Sequence, residues 1–294
     1  MCATCGCSSK RRPRVTNLES GRVLTVDHDH PHDHDHDHPH AHDHAHDHGH
    51  DHTHDHDHHD HEHGEVSTLH VQADPPTRLV KLEQEVLAKN DLLAQRNRGW
   101  FEGRGILAVN LMSSPGSGKT TLLERTIRDL GAELTISVIE GDQETLFDAE
   151  RIRATGCRVV QINTGSGCHL DAEMMARGLR TLDPPADSIL MIENVGNLVC
   201  PALFDLGERH KVVIMSITEG EDKPLKYPHM FRAAGLMLLN KIDLEPYLEF
   251  DIERCIGYAK QINPDLEVMR VSATRGEGLD AWYSWLRTQS TSVG

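Results

Sequence analysis

The feature that most restricts the fold of this chain is a short apolar segment that runs directly into a glycine-rich turn. Residues 106–112 read Ile-Leu-Ala-Val-Asn-Leu-Met, and Ser-Ser-Pro-Gly-Ser-Gly-Lys-Thr-Thr follows at 113–121 before a leucine-rich amphipathic stretch. This order of strand, loop and helix is the context of a P-loop, whose backbone N–H groups surround phosphate oxygens at a helix N-terminus. Ser113 stands in place of the first glycine of the usual pattern, but phosphate contacts come mainly from the later loop. We expect a nucleotide site here; the alternative is a glycine-rich turn without a ligand.

The rest of the chain alternates between short apolar runs and amphipathic stretches. Apolar residues recur at helical spacing in 120–130, 172–180 and 246–261, which predicts helices. The apolar runs are short enough to be buried strands, and they lie at 106–112, 134–139, 158–162, 188–192, 212–217, 236–239 and 266–271. The pattern predicts an α/β fold of the P-loop NTPase type, in which a mostly parallel sheet carries helices on both faces. Ligands of such folds bind at the carboxyl ends of the strands.

A tract rich in histidine and aspartate precedes this domain. Residues 27–63 contain 19 histidines, eleven aspartates and one glutamate, with no lysine or arginine. Because there are no large apolar side chains to bury, we expect a disordered Cys/His-rich N-terminal region. Imidazole suits nickel, zinc and copper, so we predict metal buffering. A purification tag is the alternative, but the tract is internal, long and mixed with aspartate. The candidate ligands are His28, His30, His32, His34, His36, His38, His40, His42, His44, His46, His48, His50, His52, His54, His56, His58, His59, His61 and His63.

Charge is distributed unevenly along the chain. The formal net charge is −16; residues 27–63 contribute −12 and residues 1–26 contribute +4, which leaves −8 for the remainder. This acidic balance argues against nucleic-acid or anionic-membrane partners. No apolar run has transmembrane length, and the N-terminus does not have a signal-peptide pattern. We therefore expect a cytoplasmic chain without membrane insertion.

The composition changes along the chain predict four segments. They are a Cys-motif leader over 1–26, the tract over 27–63, a linker and N-terminal helix over 64–104, and the nucleotide-binding domain over 105–294. The helix should open at Pro75 and Pro76, because leucine and valine recur at helical spacing after them.

Base identity is predicted from Asn240-Lys-Ile-Asp243, which follows the run at 236–239. The Asp243 carboxylate can accept from both the N1 and the exocyclic amino hydrogens of guanine, whereas adenine offers no such pair. Asn240 would hold the base edge or a neighbouring loop, and Lys241 would lie along the ring. Ser272 and Ala273 fit the companion loop whose backbone N–H meets guanine O6. These residues predict GTP rather than ATP.

The glycine-rich loop supplies the candidate phosphate ligands. Its backbone N–H groups close around phosphate oxygens, Lys119 reaches the β and γ phosphates, and the Thr120 hydroxyl binds Mg²⁺. The loop residues predicted to contact the nucleotide are Gly116, Ser117, Gly118, Lys119, Thr120 and Thr121.

Two carboxylates should lie beside this loop, since Asp142 follows the second predicted strand and Glu193 the fourth. With Lys119 and Thr120 they are the candidate catalytic residues, and with Thr120 they are the candidate Mg²⁺ ligands. Asp142 could instead cap its own loop. Gly196 could let a γ-phosphate draw its N–H inward. No glutamine or arginine finger is evident, so intrinsic hydrolysis of GTP should be slow.

The seven cysteines include two candidate metal sites. In a reducing compartment they are thiols, so clusters among them indicate metal ligands rather than disulfide bridges. Cys2, Cys5 and Cys7, with the terminal amine, offer four donors for nickel or zinc; the alternative is incidental thiols.

The second candidate site combines Cys168 and His169 with Cys200, all placed just after predicted strands. Three donors cannot close a tetrahedron, so an open position is expected, filled by water or by a partner subunit. Because Cys200 follows Glu193 closely in sequence, the state of the nucleotide could move a metal ligand directly. Small buried hydrophobes are the alternative.

These residues together resemble the hydrogenase nickel-incorporation GTPases, the HypB family. The resemblance rests on Cys2-x-x-Cys5-Gly-Cys7, the histidine tract, the loop at 113–121, and the segments 141–145, 167–170, 193–197 with Cys200, 219–227 and 240–243.

What the resemblance implies is a P-loop GTPase of the SIMIBI class that forms a nucleotide-dependent homodimer across its nucleotide and metal sites. Members bind nickel at the N-terminal cysteines, and nickel or zinc at a site that matches Cys168, His169 and Cys200. With a HypA-type metallochaperone they help load nickel into the large-subunit precursor of [NiFe]-hydrogenase. Lys223 lies in a segment that resembles one reaching nucleotide across the dimer. The implied function is a GTP-hydrolysing nickel metallochaperone that also stores nickel on its tract.

Two other functions stay open from the sequence. The first is a sibling GTPase that serves urease or a cobalamin enzyme, although the N-terminal cysteine motif is not expected in the urease sibling. The second is a metal storage protein with a vestigial nucleotide domain. The intact Lys119, Glu193 and Asn240-Lys-Ile-Asp243 set argues against decay of that domain.

Overall fold

The computed structural model describes residues 13–25, 75–143, 145–165 and 167–292. The predicted metal ligands Cys2, Cys5 and Cys7 lie outside the described residues, as do the whole histidine tract and the linker up to residue 74. No helix in the described part of the chain is both long enough and apolar enough to cross a membrane.

The strands of the described residues are β1 Arg14–Asn17, β2 Val23–Thr25, β3 Leu107–Ser113, β4 Ile136–Asp142, β5 Arg158–Asn163, β6 Ile189–Glu193, β7 His210–Ser216, β8 Leu236–Asn240 and β9 Glu267–Arg270. The helices are α1 Pro75–Glu102, α2 Lys119–Leu130, α3 Phe147–Arg153, α4 Ala172–Leu182, α5 Cys200–Leu203, α6 Lys223–Lys226, α7 Pro228–Ala233, α8 Ile252–Ile262 and α9 Leu279–Thr291, with a 3-10 helix at Ile242–Tyr247.

The strands form one sheet in the order β2-β1-β5-β4-β6-β3-β7-β8-β9. In this order across the sheet, each pair of neighbouring strands from β5 through β4, β6, β3, β7 and β8 to β9 is parallel. Each of the seven apolar runs predicted as strands is a strand of this sheet. The predicted fold class, a mostly parallel sheet of the P-loop NTPase type, is confirmed.

Helices cover both faces of the sheet because successive side chains of a strand point to opposite sides. On β3, Leu107 and Val109 pack into a core with Trp282 of α9 and the apolar side of α2. Ala108, between them, packs into a second core with Leu179 of α4. The central strands are therefore buried on both faces, which is why their sequences are apolar runs rather than alternating patterns.

Helix α1 is fastened to the domain by two buried asparagines. Asn90 Oδ1 accepts from Ala172 N at 2.9 Å, and Asn90 Nδ2 donates to the Asp205 carbonyl at 2.8 Å. Asn97 Nδ2 donates to the carbonyls of Ala172 at 2.9 Å and Leu206 at 3.0 Å. These contacts satisfy backbone groups at the start of α4 and before β7, and they hold α1 against the domain.

A β-hairpin inside residues 1–26 differs from the leader predicted there. Strand β1 pairs antiparallel with β5, in the register Arg14↔Asn163, and β2 pairs antiparallel with β1. Val15 is 1% exposed and belongs to the same core as Leu179. The boundary of the folded domain is therefore corrected: residues 14–25 belong to the sheet. The pattern escaped prediction because each strand has at most four residues, too few to show a clear period.

Candidate nucleotide and metal site

The P-loop connects the end of β3 to the first residue of α2. Gly116 and Gly118 have φ values of 77° and 93°, in the left-handed region that favours glycine. A Cβ at Gly118 would lie 2.5 Å from Asn240 Nδ2, so no other residue fits without movement. Ser113 is buried, and its hydroxyl donates to the Ser114 carbonyl at 2.9 Å. The serine that departs from the usual pattern thus stabilises the start of the loop.

Glu193 contacts both functional side chains of this loop. Its Oε1 lies 2.9 Å from Lys119 Nζ and accepts from Thr120 Oγ1 at 2.6 Å. The Glu193 side chain is 1% exposed, and its Oε2 is buried without a hydrogen-bond partner among the described residues. A buried carboxylate oxygen without a partner is costly. The arrangement therefore favours a bound cation or water at this oxygen.

Glu140 is a neighbouring carboxylate that sequence reasoning missed. It lies on β4 and lines the same cavity as the P-loop. Burial and the nearby carboxylates of Glu193 and Asp142 raise the pKa of Glu140 well above its usual value. The available signal was its position two residues before Asp142, which places both side chains on one side of the strand.

Asp142 has the geometry of the loop cap that the sequence left open. Its Oδ1 accepts from Gln143 N at 2.6 Å, and its Oδ2 accepts from Thr145 N at 3.0 Å and from Thr145 Oγ1 at 2.7 Å. Asp142 also lines the cavity beside the P-loop, so its role as a Mg²⁺ ligand stays a prediction.

The oxygen groups around this cavity fit Mg²⁺, which prefers hard oxygen ligands. The Thr120 hydroxyl and the Glu193 carboxylate are in contact, and Oε2 atoms of both Glu140 and Glu193 are buried with no hydrogen-bond partner in the described part of the chain. Two such orphaned oxygens beside a phosphate-binding loop are what a divalent cation would satisfy.

The cavity has a volume of about 540 Å³, a size typical of small-molecule sites. The residues lining it are Ser113 to Thr121, Glu140 to Gln143, Asp148, Arg151, Val195, Gly196 and Lys241. A Cβ at Gly196 would come within 3.2 Å of Pro115. Gly196, whose N–H is predicted to respond to the γ-phosphate, therefore packs tightly on the P-loop.

Arg151 of α3 is a cation on this cavity wall that the sequence did not reveal. Its guanidinium donates to Glu124 Oε2 at 2.7 Å, to Asp148 Oδ1 at 3.2 Å and to Thr121 Oγ1 at 3.3 Å. A helical arginine flanked by carboxylates carries no sequence pattern that separates it from an ordinary surface ion pair.

Asn240 ties two loops together rather than standing free. Its Nδ2 donates to the Ser117 carbonyl at 2.9 Å, and its Oδ1 accepts from Ala273 N at 3.1 Å. Lys241, at φ 66°, donates from Nζ to the Gly116 carbonyl at 2.7 Å. Of the two roles weighed for Asn240, the structure has the contact with a neighbouring loop.

The companion loop after β9 is held by hydrogen bonds from its own backbone N–H groups. Ser272 N donates to the Glu277 carbonyl at 2.9 Å, and Ala273 N is used by Asn240. These contacts shape the loop, and the contact of its backbone N–H with guanine O6 stays a prediction. Ser272 Oγ donates to Asp243 Oδ1 at 2.6 Å, which fixes the orientation of the carboxylate predicted to select guanine.

Lys223 lies beside the P-loop of its own chain. Its ammonium contacts Glu219 Oε2 and lies 3.4 Å from Ser114 Oγ, and Ser114 also donates to Glu219. Lys223 lines a second cavity of about 450 Å³, together with Pro115, Tyr227 and the segment Gly196 to Cys200. Contact with a nucleotide across a dimer stays a prediction for this residue.

The second predicted metal site is assembled in the fold. Cys168 Sγ lies 2.9 Å from Cys200 Sγ and 3.7 Å from His169 Nδ1, and the three ligand atoms lie within 4.8 Å of one another. Cys168 and Cys200 are 6% and 1% exposed. They follow β5 and β6 at the carboxyl edge of the sheet. Three donors leave one position of a tetrahedral site open, as predicted from the sequence.

The environment of His169 keeps its imidazole ready to bind metal. The ring stacks on Phe204 with centroids 3.9 Å apart. Burial lowers the pKa of His169 from 6.5, although the nearby Asp171 carboxylate acts in the opposite direction. The neutral ring is the form that binds metal. By contrast, burial raises the pKa of the separate thiols Cys157 and Cys255 to about 12, which disfavours the thiolate form there.

Comparison with known proteins decides the family. The family model described as "CobW/HypB/UreG, nucleotide-binding domain" matches residues 107–270 of this chain. The chain belongs to the CobW/HypB/UreG family. The resemblance found from the cysteine, histidine and P-loop segments is thereby confirmed.

Relatives within this family cover most of the chain. Hydrogenase maturation factor HypB of Escherichia coli strain K12 is 58% identical over 226 residues, 77% of this chain and 78% of the relative. The HypB of Azotobacter vinelandii is 59% identical over 220 residues, 75% of this chain and 73% of the relative.

Solved structures show the same fold. HypB from Archaeoglobus fulgidus superposes with a TM-score of 0.65 at 42% identity, covering 69% of this chain and 99% of that one. HypB from Helicobacter pylori, crystallised in complex with nickel, superposes with a TM-score of 0.65 at 35% identity, covering 69% and 96%.

Proposed function

We propose that this chain is a GTP-hydrolysing nickel metallochaperone that delivers nickel, or regulates its insertion, into the large subunit of [NiFe]-hydrogenase during maturation. The observation that carries the proposal is the segment from Glu193 to Cys200. At one end Glu193 contacts Lys119 and Thr120 of the P-loop, and at the other Cys200 lies 2.9 Å from Cys168. Relatives named as hydrogenase maturation factors and a nickel-bound HypB structure support nickel as the cargo.

Nucleotide binding would act on Glu193 through competition for its partners. Lys119 donates to Glu193 at 2.9 Å, and the β and γ phosphates of GTP would take over this ammonium. Mg²⁺ bound near Thr120 and Glu193 would neutralise charge that develops on the phosphate oxygens during hydrolysis. Glu193 would thus change partners between the GTP and GDP states, and the segment after it would follow.

The cluster of Cys168, His169 and Cys200 would bind nickel weakly enough to release it to a partner. Two thiolates and one imidazole suit nickel, and also zinc. Because thiolates must lose their protons before they bind, the affinity for metal should fall as pH falls. The histidine tract would add a store of imidazole ligands, and the N-terminal cysteines a further nickel site.

The partners follow from the same proposal. A nucleotide-dependent homodimer would bring two nucleotide and metal sites together, and a HypA-type metallochaperone and the hydrogenase large-subunit precursor would receive the nickel. A single cavity is lined by Pro115 of the P-loop, by Lys223 and by the cluster ligand Cys200, which supports a partner surface that includes both sites. A cytoplasmic location accords with these partners.

The test is nickel affinity measured with GDP and with a non-hydrolysable GTP analogue. The proteins are the full chain and a version without residues 27–63, which retains the hairpin that pairs with β5. Cys200→Ala should abolish binding at the cluster, whereas Cys255→Ala, a buried thiol away from it, should not. A nickel affinity that is equal with both nucleotides would refute nucleotide-controlled delivery and favour a metal reservoir joined to an independent GTPase.

A further inference from the structure

Asn194 is a buried residue that connects the nucleotide side of the fold to the metal loop, the segment between β5 and α4 that carries Cys168 and His169. It follows Glu193 directly and is fully buried. Its Oδ1 accepts from Leu170 N at 3.2 Å and from Val195 N at 3.0 Å. Its backbone N donates to the Leu111 carbonyl at 3.1 Å. One residue therefore touches strand β3, the segment after Glu193 and the loop that carries Cys168 and His169.

The contact with Leu170 reaches the metal ligands through one peptide unit. Leu170 is the residue directly after His169, so a shift of its N–H moves the backbone that positions the imidazole. The Leu170 side chain packs beneath Gly141, on the face of β4 opposite to Glu140 and Asp142, since a Cβ at Gly141 would lie 2.8 to 3.0 Å from Leu170 Cγ and its two Cδ atoms. The Gly141 backbone itself lines the nucleotide cavity. The position of Leu170 is thus fixed by groups that border the nucleotide cavity.

The other side of Asn194 is held rigidly. Its Nδ2 donates to Asn110 Oδ1 at 3.3 Å, and Asn110 Nδ2 donates to Glu208 Oε1 at 2.9 Å. Burial raises the pKa of Glu208 despite the opposing effect of Lys211. These hydrogen bonds fix the orientation of the Asn194 amide, so a shift of the Glu193–Asn194 backbone would move the acceptor of Leu170 N instead of being absorbed by rotation of the side chain.

We propose that Asn194 is the positioning residue that transmits a change at Glu193 to the ligands Cys168 and His169. This inference rests on the proposed function and names the contact by which the nucleotide would alter metal affinity. The route differs from the covalent path to Cys200, because it acts on the two ligands of the neighbouring loop through a hydrogen bond.

The test measures the ratio of nickel affinities with GDP and with a non-hydrolysable GTP analogue. The full-length background has its three N-terminal cysteines replaced by serine, so that thiolate-to-nickel charge-transfer absorption reports the cluster alone. A ratio of about fivefold or more is expected for the unaltered switch, the lower end of typical couplings between sites. Asn194→Ala should bring the ratio to within about twofold of one, while nickel and nucleotide each still bind.

Two variants separate transmission from stability. Asn194→Asp keeps an oxygen acceptor for Leu170 N but loses the donor to Asn110 Oδ1, so it should retain more of the ratio than Asn194→Ala. Asn97→Ala removes two buried hydrogen bonds, one of them to Ala172 at the other end of the metal loop. It should lower stability comparably and leave the ratio intact. A ratio that survives Asn194→Ala, or that Asn97→Ala removes equally, overturns the inference while the proposed function stands.

A measurement on the unaltered chain covers the case in which Asn194→Ala does not fold. Amide hydrogen exchange at Leu170 should differ between the GDP and analogue states by about threefold or more, because its N–H partner moves with Glu193. Equal exchange in the two states overturns the inference. If the unaltered chain shows no affinity ratio at all, the proposed function is wrong and the inference is wrong with it.

Discussion

Replacement of Asn240 by alanine tests whether this residue fastens the P-loop to the companion loop. The side chain is 1% exposed and makes two hydrogen bonds, one to the Ser117 carbonyl and one from Ala273 N. Each buried backbone group that loses its partner costs about 1–3 kcal/mol. Since the nucleotide cavity lies alongside and water can enter, we take the lower part of that range for each group and expect about 2–3 kcal/mol in total.

The assay is urea unfolding of the nucleotide-free protein together with GDP affinity. The free energy of unfolding of Asn240→Ala should fall by about 2–3 kcal/mol, and GDP affinity should fall as well because the P-loop is released. Asn263→Ala is the matched control, since Asn263 Nδ2 also donates to two carbonyls, those of Phe231 and Ala234, far from the nucleotide. It should lower stability without weakening GDP binding. An Asn240→Ala protein within about 0.5 kcal/mol of the parent would refute the reasoning.

Three further predictions follow from single contacts. Gly118→Ala should weaken GDP binding by about tenfold or more, because a φ of 93° strains any other residue and the new Cβ would meet Asn240; calorimetric affinities equal to those of the parent would contradict this. His210 has its pKa lowered from 6.5, chiefly by burial, so the unfolded chain takes up its proton first and stability should fall as pH drops below about 6.5. His210→Gln should flatten that fall between pH 7.5 and 5.5, and parallel unfolding curves for the two proteins would show the histidine to be irrelevant. Val15→Ala should cost about 2 kcal/mol of unfolding free energy because the side chain is 1% exposed, whereas Val23→Ala, 53% exposed on the opposite face of the same hairpin, should change little; a loss for Val15→Ala as small as that for Val23→Ala would mean that the hairpin is not anchored in the core.

The sequence predicted the central sheet well because each strand carries its own evidence. Side chains on β3 and β7 are buried on both faces, so the apolar run itself marks the strand. The P-loop was equally readable, since strand, turn and helix follow one another without a gap. Cys168 and Cys200 could be assigned to one site from the sequence because both follow strands whose carboxyl ends share one edge of the sheet.

The parts that escaped prediction depend on contacts between distant segments. Glu140 looks like any acidic residue until burial beside Glu193 gives it a raised pKa. The hydrogen bond from Ala273 N to Asn240 Oδ1 joins residues 33 positions apart in the chain, so no local sequence pattern predicts it. The hairpin over 14–25 is too short for a periodic signal, and only the register with β5 reveals it.

That hairpin changes how the N-terminal third of the chain is connected to the rest. Arg14 pairs with Asn163, and Thr25 pairs with Arg14. The first residue of β1 and the last residue of β2 therefore lie at the carboxyl edge of the sheet, beside Asn163, which precedes Cys168 by five residues. The described domain thus includes residues on both sides of the histidine tract in the sequence, the hairpin before it and helix α1 after it. His28 is only three residues from Thr25, a reach of about 10 Å. Thr25 and Asn163, more than a hundred positions apart in the sequence, thus lie at the same edge of one sheet, so the tract begins in the chain next to the edge from which the loop of Cys168 and His169 leaves.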